Sequence, residues 1–144
     1  MKEALDFLKH HKDVAFATCE GNRPKIRTFQ IMCQEGSTLY FATSEKKEVY
    51  KQLQQNPHVE ILAMEDKVSV RCVGEVNFNV DDERKRWIYD HNDVLSRLYS
   101  SYDMMAYFAL EIAEIDYYDL SPTPPVLQHF NLVDETKGKG VVAE

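Results

Sequence analysis

Cysteine is scarce in this sequence, and the three present, Cys19, Cys33 and Cys72, are odd in number, widely spaced and without a CxxC pair. That pattern excludes a disulfide framework and a structural zinc site, and it makes a reducing, cytoplasmic setting the expected one. Glycine is also short, and the five residues at positions 21, 36, 74, 138 and 140 cannot compose a GxGxxG turn or a Walker A loop. A Rossmann dinucleotide site and a P-loop are therefore excluded. Basic residues number 17 against 24 acidic ones, for a net charge of −7. Without a cationic stripe, nucleic acid and anionic membranes are not expected partners. Long apolar runs are missing too: the longest stretch free of Asp, Glu, Lys and Arg, Leu120 to Val133, contains three prolines and cannot span a bilayer. The start, MKEALDFLKHHKD, is too charged for a signal peptide, so a soluble, unprocessed protein is expected. The five histidines form neither an i, i+4 pair nor HExxH, and no metal site is expected.

What remains is ordinary globular composition over 144 residues, enough for one domain with a real core but little room for a deep internal pocket. Residues 1–136 are read as that domain and 137–144, with Lys-Gly-Lys-Gly, as a flexible tail. Apolar spacing predicts a helix over residues 2–11, then strands over 14–19 and 26–33, a turn at Gly36 and a strand over 38–43. A helix capped by Ser44 should follow and end at Asn56-Pro57. Strands over 58–64 and 67–80 come next, the latter with strict alternation from Val68 to Val80. Two short helices span the region from Asp81 to Tyr102. The alternation from Met105 to Leu120 changes face between Ile112 and Ile115, as a bulge requires. Long bent strands predict a barrel.

Two places carry chemistry. At Thr43-Ser44-Glu45-Lys46-Lys47, the pattern puts two lysines in the first turn of a helix, where the dipole disfavours cations unless an anion is bound. Two hydroxyls, free amides and a lysine suit a phosphate there. A plain surface turn balanced by Glu45 and Glu48 is the alternative. Arg27, heading an apolar row with Phe29, Ile31 and Cys33, is the second place. A guanidinium in such a row needs an anion, a nearby acid or an exit to solvent. If its strand lies beside the 38–43 strand, Arg27 approaches Thr43 and Lys47.

The succession Gly21-Asn22-Arg23-Pro24-Lys25-Ile26-Arg27, Leu39-Tyr40-Phe41-Ala42-Thr43, Lys47, Leu53-Gln54-Gln55-Asn56-Pro57 and Val70-Arg71-Cys72-Val73-Gly74-Glu75 resembles the pyridoxamine 5'-phosphate oxidase-related flavin-binding split barrels. The resemblance covers roughly residues 1 to 120 and is closest to the nitroimidazole-resistance-like and general-stress-like subgroup. It implies a mainly β fold with peripheral helices, a six-stranded Greek-key split barrel. It also implies a homodimer with flavin mononucleotide (FMN) between subunits. Carried over by residue, it assigns Arg27, Thr43, Ser44 and Lys47, or Lys46 in its place, to the flavin phosphate, and Thr28, Phe29 and Gln30 to the strand along the ring. Arg71 is the candidate donor to the reduced ring. The implied activity is reduction of a small nitroaromatic or quinone-like compound, with a transient nicotinamide donor. A non-enzymatic flavin carrier or redox sensor is the alternative, and so is haem binding through a histidine such as His129 or His58. Met32 stands where true oxidases carry a lysine, and Phe130 to Glu144 contains no arginine, so pyridoxal synthesis is not implied. The segment 121–130, rich in proline, is expected to be stiff enough to wall a pocket or cross to a partner.

Overall fold

The period-two runs become strands of one antiparallel sheet in the computed structural model, which describes residues 1–132. The tail expected at 137–144 lies outside the described residues. Helix α1 (Lys2–His10) leads into β1 (Asp13–Glu20), β2 (Arg23–Gln30), β3 (Cys33–Glu35) and β4 (Thr38–Thr43). Helix α2 (Glu48–Gln55) follows, then β5 (His58–Glu65), β6 (Val68–Asn77), α3 (Asp82–Asp90), α4 (Asp93–Leu98), β7 (Ala106–Asp119) and β8 (Val126–Asn131). Glycines at positive φ make the β1–β2 and β3–β4 turns, Gly21 at 64° and Gly36 at 60°.

Strand order is β2-β1-β5-β6-β7-β4-β3, with β8 added on β7. The two ends of that order, β2 and β3, are consecutive in the chain. Between them, Ile31 N–H donates to the Lys12 carbonyl at 2.7 Å and Met32 N–H donates to the Tyr40 carbonyl at 2.8 Å. The chain therefore crosses from the β1 side to the β4 side in two residues and closes the sheet into a barrel. This corrects two expectations. The single strand read over 26–33 is two strands, and β2 pairs with β1 rather than with β4. Since β3 continues β2 and β8 is an added edge, the eight strands contain the expected six. Residues 126–130 of the segment rich in proline form part of this paired edge.

Inside the barrel, Phe16, Phe29, Phe41 and Phe108 pack ring to ring, with centroids as close as 4.9 Å. A second cluster on the other side of β4 and β7 joins Ala42, Tyr107 and Ala109 to Ile88 and Leu95 of α3 and α4, which accounts for the five buried residues in succession at the start of β7. The face switch in β7 is a bulge: Val73 pairs with Glu114 and Gly74 with Ile112, leaving Ala113 out. Gly74 is needed there because a Cβ would stand 2.1 Å from the Glu111 carbonyl oxygen. Strand β6 stops at Asn77, short of the expected Val80, because the Asn77 side chain accepts the Asn79 N–H at 3.0 Å and turns the chain.

Candidate functional site

Thr43 ends β4 in the interior, 5% exposed, and its Oγ1 is buried with no hydrogen-bond partner among the described residues. An unpartnered buried hydroxyl costs about 1–3 kcal/mol. After it the chain makes a turn closed by Lys47 N–H donating to the Ser44 carbonyl at 3.0 Å, while Ser44 Oγ accepts from Lys46 N–H at 3.1 Å. That nearer bond is why Ser44 does not cap α2 as expected. The N-cap is Lys47, without a side-chain bond. The lysines thus precede the helix rather than occupying its first turn, which begins with Glu48, a residue suited to the dipole. The amides of Glu48 and Val49 have no backbone acceptor among the described residues.

On the buried side of α2, one turn in from its start, Gln52 meets Arg27. The Arg27 guanidinium donates from Nη1 to the Phe16 carbonyl at 3.1 Å and to Thr18 Oγ1 at 2.9 Å. From Nη2 it donates to Gln52 Oε1 at 2.8 Å. Every acceptor is neutral. Partial burial draws its pKa below the usual arginine value, yet an arginine stays protonated in proteins. Neither Arg27 nor Lys46 nor Lys47 has a carboxylate within ion-pair distance among the described residues. The junction is a surface turn with Glu45, Lys46, Lys47 and Glu48 all exposed, in which no ion pair among the described residues ties either lysine to an acid.

The remaining candidates fall in different places. Phe29 points into the aromatic core, so only its backbone is available to a ligand. Thr28 and Gln30 lie exposed on the outward face of β2, where Gln30 Oε1 accepts from Asn92 Nδ2 at 3.0 Å. Cys33 leaves the row of Arg27 at the strand break and joins the helix-side cluster. Arg71 is on the outer face of β6, hydrogen-bonded to Glu60 at 3.0 Å and to Asp116. Its charge is already neutralised, which removes the reason to give it another anion. The structure brings Arg27 to α2 and strings Thr43, Ser44, Lys46 and Lys47 along the head of that helix; it leaves Arg71 apart. Thr18 and Gln52 were missed. Their signal was a polar residue within an apolar pattern: Thr18 after Val14 and Phe16, and Gln52 between Val49 and Leu53.

A surface cavity of about 590 Å³ lies elsewhere and is lined by Glu75 and Glu111, the wrong sign for an anion. A groove of about 380 Å³ beside the β2–β3 crossover is lined by Ile31, Met32 and Trp87, with Lys9 and Lys12. Among the described residues no helix is long and apolar enough to cross a membrane.

A closed antiparallel barrel with an uncompensated cationic strand-to-helix junction defines the class, a small split β-barrel. The family model for Pyridoxamine 5'-phosphate oxidase matches residues 1–118, and the chain belongs to that family. It is similar to a solved protein of Clostridium acetobutylicum related to general stress protein 26, with a TM-score of 0.76 and 16% identity over 92% of this chain and 94% of that one. A nimC/nimA family protein of the same organism gives a TM-score of 0.73 and 29% identity, covering 92% of each chain. A pyridoxamine 5'-phosphate oxidase-related, FMN binding protein of Nostoc punctiforme gives 0.70 and 16%, over 90% of this chain and 85% of that one. Further neighbours of this fold are described as a fad-binding protein and a heme binding protein. No curated protein matches the sequence.

Proposed function

We propose that this chain binds FMN, with the phosphate at Arg27 and the 43–48 junction, and that it serves as an oxidoreductase for a small nitroaromatic or quinone-like compound. The observation that carries the reading is Arg27, a partly buried guanidinium whose acceptors among the described residues are all neutral, beside the helix that Lys46 and Lys47 precede, together with the orphaned hydroxyl of Thr43. A phosphate dianion is the ligand that would satisfy both, since it accepts hydrogen bonds from hydroxyl, amide and guanidinium donors and repays their charge. FMN fits this donor set.

Bound flavin supplies two-electron redox chemistry; the chain supplies position and charge. Arg27 would anchor the phosphate from the barrel side, and Lys46 or Lys47 would close on it from the turn. Thr43 Oγ1 and Ser44 Oγ would fix its oxygens, and the β2 backbone at Thr28 to Gln30 would run along the ring. The apolar groove at Ile31, Met32 and Trp87 is where a flat organic substrate would find cover. A homodimer with cofactor between subunits belongs to the same reading. It is supported by the outer sheet face, which leaves Leu62, Met64, Tyr118 and Leu127 uncovered.

The test is direct. Purified protein should be yellow or take up added FMN, and should then oxidise a nicotinamide donor in the presence of a nitroaromatic or quinone acceptor. Colourless protein that ignores FMN overturns the reading, and bound flavin without turnover points to a carrier or sensor. Haem is a second reading favoured by one observation: His129 Nδ1 is held by Asp116 at 2.7 Å, which orients the ring. A Soret band on haem addition, lost in His129→Ala, would select it.

A further inference from the structure

Beneath Arg27, two polar side chains are buried in layers that are otherwise apolar. Thr18 is 4% exposed and Gln52 is 3% exposed. Thr18 Oγ1 donates to Gln52 Oε1 at 2.6 Å. With its proton committed there, the hydroxyl oxygen turns lone pairs toward Arg27 Nη1, and Gln52 Oε1 accepts from Arg27 Nη2 as well. The three side chains form a closed triangle. Its direction is determined: Gln52 must present oxygen, not nitrogen, to a guanidinium and a donated hydroxyl. Both Nη1 protons and one Nη2 proton are used on Phe16, Thr18 and Gln52. The second Nη2 proton and the Nε proton, the other two of the five, have no acceptor among the described residues.

The chemistry of the acceptors matters more than their number. A buried guanidinium ordinarily draws a carboxylate, and Glu would fill the volume of Gln52 with one. The amide instead holds the cation in place by hydrogen bonds while leaving its full charge to the ligand. We propose that Thr18 and Gln52 are positioning residues that keep Arg27 an uncompensated cation and thereby make the site select phosphorylated flavin over riboflavin. The inference rests on the flavin reading above and deepens it by saying what sets the preference.

Equilibrium titrations with FMN and with riboflavin separate the two claims. Wild-type protein should bind FMN at least about tenfold more tightly than riboflavin, as a charge-assisted contact requires. Gln52→Glu, which hands Arg27 its own carboxylate, should weaken FMN binding about tenfold or more and leave riboflavin within about twofold, so the preference collapses. Thr18→Val should reduce the preference by a smaller factor, and Thr18→Ser, which keeps the hydroxyl, should restore it. A purely structural role would weaken both flavins together. The proposal is overturned if Gln52→Glu and Thr18→Val keep the wild-type ratio of affinities. If Gln52→Glu does not fold, the Thr18→Val and Thr18→Ser pair decides the matter alone. Wild-type protein that binds neither flavin overturns the flavin reading, and this inference with it.

Discussion

Arg27 and Arg71 sit on opposite faces of the same barrel and are handled in opposite ways. Arg71, on the outer face, is answered twice, by Glu60 and by Asp116, and Asp116 is further bonded to His129. Arg27, on the inner side beneath α2, meets among the described residues only a main-chain carbonyl, a hydroxyl and an amide. The less exposed environment thus holds the less compensated charge, the reverse of what stability alone would select. Where a fold builds an ion pair, the charge is internal to the structure. On the function proposed above, the neutral cradle around Arg27 leaves its charge for the ligand.

The sharpest way to break this contrast is to remove each arginine. Arg27→Ala should weaken FMN binding by about 1.5–3 kcal/mol, the scale of a lost charge-assisted contact. Unchanged affinity by titration would take Arg27 out of the site. Arg71→Ala should do the converse. It leaves the Asp116 side chain, only 10% exposed, with His129 alone, and should lower unfolding free energy by about 1–2 kcal/mol without moving flavin affinity. Denaturant titration reads the first and flavin titration the second.

Acid should divide the two regions next. Burial raises the Asp116 pKa, but hydrogen bonds from His129 and Arg71 outweigh it and hold the carboxyl below the usual range. A carboxylate with a depressed folded pKa contributes stability that is present above its unfolded value, about 4, and is lost as pH falls through the folded one. Melting temperature should therefore drop below about pH 4, and Asp116→Asn should flatten that drop. Arg27 has no carboxylate within ion-pair distance among the described residues, and FMN affinity should instead weaken below about pH 6 as the phosphate gains a proton. The smallest effect is expected from Glu60→Gln. Its pair with Arg71 is half exposed on both sides, so the loss should stay below about 1 kcal/mol by denaturant titration.

Much of the scaffold was legible because its signals are local. The face switch after Ile112 announced the bulge at Ala113, and Gly36 announced the β3–β4 hairpin, since period and turn chemistry act over a few residues. The crossing at Ile31 and Met32 was not legible. Its alternation runs unbroken from Ile26, and the change of partner depends on where Ile31 meets Lys12, on the far side of two strands, as well as on Tyr40. For the same reason Arg27 was expected beside Thr43 through strand pairing, whereas it reaches α2 through Gln52. The lysines were noticed for a position in the helix that they do not hold; they stand in the exposed turn before it, between Glu45 and Glu48.

The two-residue crossing at Ile31–Met32 also governs where this chain tolerates being cut. A break in the backbone at Gly21 or Gly36 would interrupt only a turn, leaving both sheet margins tied together. Opening it between Gln30 and Cys33 would free β2 and β3 as two unpaired margins on one unrolled sheet, each offering a row of backbone donors and acceptors to other molecules. Protein with the first kind of break should remain dispersed, and protein with the second should self-associate.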